Sequence, residues 1–563
     1  MAEKKMTGQE YLANTLKQNG ITHLFYQEYA LNRLINNLEA DYGVKPILGH
    51  SELAVGYMAD GYARVSGKPG VCFSQSIGAC NLAAGLHDAW LGNSPVIAMT
   101  GCKPSWLQQR NSYQESNHTA HFSGVTKYNV PLLDDQEFPH LIRQCFREVT
   151  TGNPRPAHIE LSGVGGEVWE AAVMEEPFVT EEAHRFYPAF RPAADQANVE
   201  KAARLVEQAE KPVIVSGRGV FYSDDENVLT QLAEKCDAPV VTTPDGKTTI
   251  NEDHGLWAGI VGGYGMDCAN KAVANADLVI YIGAQVSDQT TMDFTIPARA
   301  TQIIQIDIEG SQIGKNFPNT LGLCGDAKTV MKQVIAEVGE TKHAAWTKRV
   351  ADWVSDVAKL QAASEAKGMK GCNTARLCKE IGDALPDDAI VVSDTGWSAV
   401  WSVGSIRMKS SQKYVRAAGS LGWSVLASIG AKCAEPDRPV FCFCGDGAYF
   451  YHLQEIDTAV KYGINTITII NNNSLYAQCV DCIDEFFDPA TEQHKIDKEK
   501  ELSTLGPVNF TKIAEEFGAM AIRIERDEDI APAIKKAMEA GKPAVIEVVT
   551  DWTARPLDPV IKA

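Results

Sequence analysis

The 563-residue chain contains no apolar run near the ~18 residues that a membrane-spanning helix needs, which excludes a helical membrane protein. It is short of positive charge. With 52 Lys+Arg against 72 Asp+Glu the formal charge is −20, so long-range electrostatics repel nucleic acid and anionic membrane surfaces. Any phosphate it holds must be held locally, by backbone N–H groups, a metal ion or a few placed side chains. The chain also lacks a Walker A run, an H-E-x-x-H pair and a fixed-period repeat. Ser216–Tyr222 follows an apolar stretch but has Tyr222 where the third glycine of G-x-G-x-x-G belongs, which disfavours a NAD-binding Rossmann site. The opening residues run into an amphipathic segment with no apolar core, so no signal peptide and a cytoplasmic location are expected. The 14 cysteines are scattered, many within apolar runs such as Cys442 and Cys444, and read as reduced, buried thiols. Cys479 and Cys482 form a C-x-x-C with no second pair at metal-ligand spacing, and read as coincidence.

What is present is the composition of a soluble α/β enzyme, 45% hydrophobic and 22% charged, long enough for about three to four domains. Strand and helix signals alternate, which implies mostly parallel sheets flanked by helices. Strands are expected at 23–25, 71–75, 94–100 and 158–162, with a helix over 81–90. A second unit has strands at 212–215, 239–242, 278–282 and 302–306, and a third at 389–393, 439–444, 466–470 and 544–549. Three α/β domains follow: residues 1–170, a Pro- and Glu-rich linker at 171–195, a middle domain at 196–340, a helical connection at 341–372, and a C-terminal domain at 373–563.

The strongest chemical signal lies in the third unit. One strand ends in Gly445-Asp446-Gly447, and the next ends in Asn471-Asn472-Asn473. A right-handed crossover brings both loops to the same sheet edge, where open α/β sheets bind ligands. A carboxylate, a side-chain amide and a backbone carbonyl make a hard oxygen set suited to Mg²⁺, completed by waters and phosphate oxygens. Gly445 and Gly447 allow the backbone to approach a phosphate closely.

Gly445-Asp446-Gly447, 24 further residues (448–471) and then Asn472-Asn473 resembles the signature of the thiamin diphosphate enzymes. That resemblance implies Asp446 and Asn473 as side-chain Mg²⁺ ligands and the Leu475 carbonyl as a third, with Ala448 and Tyr476 beside the cofactor. Asp394-Thr395-Gly396-Trp397-Ser398 resembles the family's diphosphate loop, although Trp397 and Ser398 depart from its usual polar residues. In Gly419-Ser420-Leu421-Gly422, Leu421 falls where the family has the bulky apolar residue that holds the cofactor folded between its rings. His50–Arg64 resembles the glutamate-containing segment, with Glu52 eight residues before Asp60-Gly61-Tyr62-Ala63-Arg64. The family's glutamate hydrogen-bonds the pyrimidine N1′ of the cofactor and so activates it.

The resemblance covers the whole chain and points to the acetolactate synthase (acetohydroxyacid synthase)-like branch, through Ile306–Asn316. That branch often binds FAD in its middle domain. Here Gln285 and Gln289 stand where arginines are common, so FAD is a disfavoured candidate. Around the substrate, Phe25–Ala30 is bulkier than the family's small turn, which would place Tyr29 and Ala30 against the thiazolium. Ser76-Ile77 replaces a Gly-Pro while Gly78, Ala79 and Asn81 are kept. Tyr113-Gln114-Glu115 matches the branch's Phe-Gln-Glu, making Gln114 a candidate donor to a substrate carbonyl or carboxylate. His118 and His121 are candidate proton relays.

The expected activity is a thiamin diphosphate- and Mg²⁺-dependent carboligase. It would act on a 2-oxo acid or 2-hydroxy ketone through a hydroxyalkyl carbanion on the cofactor. The alternatives are a decarboxylase, a benzaldehyde or 2-hydroxyacyl-CoA lyase, a cyclic diketone hydrolase, or a catalytically silent regulatory paralogue. Because Glu52 and Asp446 fall in different domains, the family implies active sites between subunits of a homodimer or homotetramer.

Overall fold

The computed structural model describes residues 5–179, 181–484 and 486–559, the side chains of 481–484 excepted. It has three domains, each a six-stranded parallel sheet flanked by helices. The first sheet runs β2-β1-β3-β4-β6-β5, from β1 (His23–Tyr26), β2 (Lys45–Leu48), β3 (Gly70–Ser74), β4 (Val96–Cys102), β5 (Tyr128–Pro131) and β6 (Ala157–Ser162). The second runs β12-β11-β10-β7-β8-β9, from β7 (Pro212–Ser216), β8 (Val240–Thr242), β9 (Trp257–Ile260), β10 (Leu278–Ile282), β11 (Gln302–Asp307) and β12 (Thr320–Cys324). The third runs β14-β13-β15-β16-β18-β17, from β13 (Ile390–Ser393), β14 (Lys413–Arg416), β15 (Val440–Gly445), β16 (Thr466–Asn472), β17 (Met520–Ile524) and β18 (Ala544–Val549).

Inner strands such as β4 and β16 are buried at every position, as sheets covered by helices on both faces require. The helix expected over 81–90 is two helices, Ala79–Gly85 and His87–Leu91. The break falls after Gly85, where a Cβ would lie 2.8 Å from the Leu53 carbonyl oxygen. Close approach to the Glu52–Ser66 helix, rather than helix propensity, dictates that glycine. The long helix Ala344–Glu365 connects the second and third sheets. No helix among the described residues is long and apolar enough to cross a membrane. Cys479 is exposed, and the side chain of Cys482 lies outside the described residues.

The first and third domains share one hydrophobic core. At its centre the helices Glu52–Ser66 and Trp423–Ala434 cross in opposite directions: Gly430 meets the Met58 carbonyl oxygen, Gly61 meets Ala427, and Trp423 meets Asp60. A Cβ at Gly61 would sit 2.2 Å from the Ala427 carbonyl oxygen, and one at Gly430 would sit 1.9 Å from that of Met58. Only glycine lets these backbones come so close.

Candidate active site

β15 and β16 are neighbours, with Gly445 opposite Asn471, so their carboxyl ends open onto the same edge. Gly445 precedes the helix Asp446–His452, and Asp446 sits in its first turn. The Asp446 carboxylate is buried and accepts the N–H groups of Gly447 (2.7 Å) and Ser474. Burial pushes its pKa up to about 6, and the groups that favour its charge most are backbone N–H donors. Asn473 Oδ1 accepts the Leu475 N–H at 3.1 Å, in a turn where Ser474 adopts a positive φ of 58°. Leu475 is buried and bridges to Thr504. A Cβ on Gly447 would fall 2.3 Å from the Tyr476 ring, so the aromatic ring packs directly on the glycine backbone.

The Gly396-Trp397-Ser398 turn lies beside this edge: Ser398 is buried and its hydroxyl is the nearest atom to a Cβ built on Gly445, at 3.6 Å. Gly396 has φ 64°, the conformation that favours glycine. Trp397 packs with Leu475, Ala477 and Trp552. Asp394 turns back into the protein and accepts the N–H of Gly422 (3.0 Å) and the N–H and hydroxyl of Ser424 (2.9 and 2.7 Å). It therefore ties loops together and faces no open space. Leu421 is half-buried against Val425 and Ala448, with open space around Gly419.

In the first domain, Ser51 caps the Glu52–Ser66 helix by accepting the Ala54 N–H at 3.2 Å, which puts Glu52 in the first turn. Asn81 Nδ2 donates to Glu52 Oε2 at 2.8 Å. A Cβ on Gly78 would come within 2.5 Å of Glu52 Oε1, so Gly78 leaves the room that the carboxylate occupies. Tyr29 is 56% exposed with φ 59°, and Ala30 is buried behind it. Gln114 has φ 62°; its carbonyl accepts the Ser76 hydroxyl at 2.5 Å and its Nε2 lies 3.3 Å from the exposed Tyr113 hydroxyl.

The two histidines differ. His118 is buried, its Nδ1 2.8 Å from Thr100 Oγ1, which is also 2.8 Å from His158 Nε2. Burial lowers its pKa to about 4, so it is neutral at physiological pH. His121 is exposed, its Nε2 2.8 Å from Ser116 Oγ and 3.1 Å from Cys80 Sγ.

Two clusters result. Glu52, Gly78 and Asn81 gather at one end of the Glu52–Ser66 helix. Asp446, Asn473, Leu475, Tyr476, Gly447, Ser398 and Leu421 gather at the carboxyl edge of the third sheet, where Gly422 lies against Tyr451, His452 and the Ala448 carbonyl.

A cavity of about 500 Å³ opens at the carboxyl ends of β7, β10 and β11, reached by all three domains through Arg155, Arg218 and Arg416. Gln285 and Gln289 line it, as does Asp307, whose pKa burial pushes up to about 6. Arg218 and Arg416 are both paired with Asp245, at 2.6 and 3.4 Å. Neither this cavity nor the reach of Asp88 to the backbone of Ala418–Ser420 is written in a local motif. Their residues come from segments far apart in the chain.

Three family models and several relatives match the chain. The chain matches the models for the N-terminal TPP binding domain (residues 6–121), central domain (199–334) and C-terminal TPP binding domain (394–548) of thiamine pyrophosphate enzymes. It is 30% identical to the probable acetolactate synthase large subunit of Methanocaldococcus jannaschii, over 97% of this chain and 92% of that one. It is 29% identical to the acetolactate synthase large subunit of Corynebacterium glutamicum, over 98% and 88%. Sulfoacetaldehyde acetyltransferase of Alcaligenes xylosoxydans xylosoxydans is 28% identical, over 97% and 93%.

Proposed function

The chain belongs to the thiamine pyrophosphate enzymes, and we propose that within them it is an acetolactate synthase-like carboligase using thiamin diphosphate and Mg²⁺. The cofactor, when bound, supplies the nucleophilic carbon that adds to the carbonyl of a 2-oxo acid or 2-hydroxy ketone. The chain's own residues supply the rest. Asp446, Asn473 and the Leu475 carbonyl would hold the metal. The observation that carries this is the Asp446 carboxylate: buried at a strand end, favoured in its charge chiefly by backbone N–H groups, and flanked by an amide and a carbonyl. A divalent cation is the charge such a carboxylate calls for. Gly445, Gly447, Ala448 and the Gly396–Ser398 turn, with Tyr476 packed on Gly447, would receive the diphosphate, and Leu421 with Gly419 would support the fold of the cofactor.

Glu52, oriented by Asn81, is assigned the hydrogen bond to the pyrimidine ring. Gln114 and Tyr29 are assigned to the substrate. His118, buried and neutral, is assigned to hold the loop that carries Gln114. The origin of the two clusters in different domains supports a site completed by a second copy of the chain, with a homodimer as the minimum unit and a homotetramer as two of them. Gln285 and Gln289, with Arg218 and Arg416 already paired to Asp245, do not fit a flavin diphosphate, so the purified protein is expected to show no flavin absorbance.

Replacing Glu52 by Gln tests the reading. Cofactor binding should persist while turnover of pyruvate, or of another 2-oxo acid or acyloin, falls by about 100-fold or more. Unchanged turnover would remove Glu52 from the chemistry. Chelation of Mg²⁺ should release the cofactor. A product formed by protonation alone, with no new C–C bond in the presence of an acceptor, would favour the decarboxylase or lyase alternative.

A further inference from the structure

The Glu52–Ser66 helix carries a second device at the end away from Glu52. Asp60 and Arg64 are fully buried there. The Arg64 guanidinium donates to both Asp60 oxygens (2.8 and 2.6 Å), to Asp88 Oδ1 (2.7 Å), and to the carbonyls of Asp88 (2.9 Å) and Arg416 (2.8 Å). It stacks 4.5 Å from the centre of the Trp423 ring, whose N–H donates to Asp60 Oδ2 at 2.8 Å. Two carboxylates against one guanidinium leave one negative charge that salt bridging alone does not satisfy.

That excess is directed at the third domain. Asp88 Oδ1 accepts the Ala418 N–H at 2.9 Å, and Oδ2 accepts those of Gly419 at 3.1 Å and Ser420 at 2.9 Å. Three successive backbone N–H groups on one buried carboxylate fix the path of a turn from outside its own domain, by charge-assisted bonds in a dry setting. On the other flank Asp394 takes the N–H groups of Gly422 and Ser424. Leu421 stands between the two anchors.

We propose that Asp88, held in place by Arg64, is a positioning residue that presets the Leu421 turn before any cofactor arrives. The proposal rests on the reading of Leu421 as the residue that supports the folded cofactor. It gives the Asp60–Arg64 motif a purpose, since one helix then presents Glu52 at its first turn and braces a cofactor-facing turn of the third domain at its last.

Amide hydrogen exchange on the wild-type, cofactor-free protein tests the preset directly. The N–H groups of Ala418, Gly419 and Ser420 should be protected as strongly as the first turns of Trp423–Ala434, with little change when thiamin diphosphate and Mg²⁺ are added. Fast exchange that becomes slow only with cofactor would overturn the proposal. A second test is a double-mutant cycle. Asp88→Asn and Leu421→Ala should each weaken cofactor binding by about tenfold, and the double variant should be no worse than about twofold beyond the weaker single one. The Mg²⁺ requirement at saturating cofactor should not move, as it would if the site had collapsed generally. Losses that multiply, or unchanged affinity in Asp88→Asn, would overturn it. If the wild-type chain binds no thiamin diphosphate, the functional reading fails, while the exchange result still decides whether Asp88 holds the turn.

Discussion

Two buried carboxyls at the third-domain edge, Asp446 and Asp394, each have a pKa pushed up to about 6 by desolvation. Between about pH 4 and 6 each keeps, in the folded chain, a proton that the unfolded chain has already lost. Their contribution to stability is therefore complete below the ordinary carboxyl range and is lost as pH rises through about 6. At neutral pH both are charged, and the divalent cation proposed at Asp446 would offset the cost of that charge. The increment in melting temperature given by Mg²⁺ with thiamin diphosphate should thus be largest above about pH 7 and shrink through about 6, as protons displace the metal. A constant increment across that range, or one retained by Asp446→Asn, would exclude Asp446 as ligand. Asp446, Asn473 and Glu52 were legible because each sits in a motif of fixed local spacing. Asp88 was not, because its partners lie 330 to 332 positions further along the chain and are backbone N–H groups with no side-chain signature.

At the scale of elements, the strands read from sequence and those not read divide cleanly. All twelve expected strands are inner strands of the three sheets, and the six not expected, β2, β5, β9, β12, β14 and β17, are the six edges. Inner strands are covered on both faces and read as unbroken apolar runs. Most edges are half-solvated, as in β5, where no residue is buried, and β17, where only one is. β9 is buried but only four residues long and contains Gly259 at φ 100°, which removes the pattern another way. The helix pair Glu52–Ser66 and Trp423–Ala434 depends on Gly61 and Gly430. Gly61→Ala should force these backbones apart and lower stability by about 1–3 kcal/mol in denaturant unfolding. A variant as stable as wild type would show that the crossing adjusts freely.

For the whole molecule, the question is whether one chain makes a site. Glu52 and Asp446 come from different domains, and with a site completed by a second copy a chain with either residue replaced should be inactive alone yet complement the other. Co-expressed Glu52→Gln and Asp446→Asn chains, mixed evenly, should regain about one quarter of wild-type activity, since half the dimers are mixed and each has one intact site. No recovery would place the site within a single chain. The sequence by itself determined the family and the three α/β domains, and singled out the strand ends proposed for the metal and the glutamate proposed to activate the cofactor, because each depends on short-range spacing or continuous apolar runs. Only the tertiary structure decided that Asp394 faces inward, that His118 is buried while His121 is exposed, and that Asp88 braces the Leu421 turn. Those depend on which distant backbones meet, and close packing through Gly61 and Gly430 settles that, not any local pattern of residues.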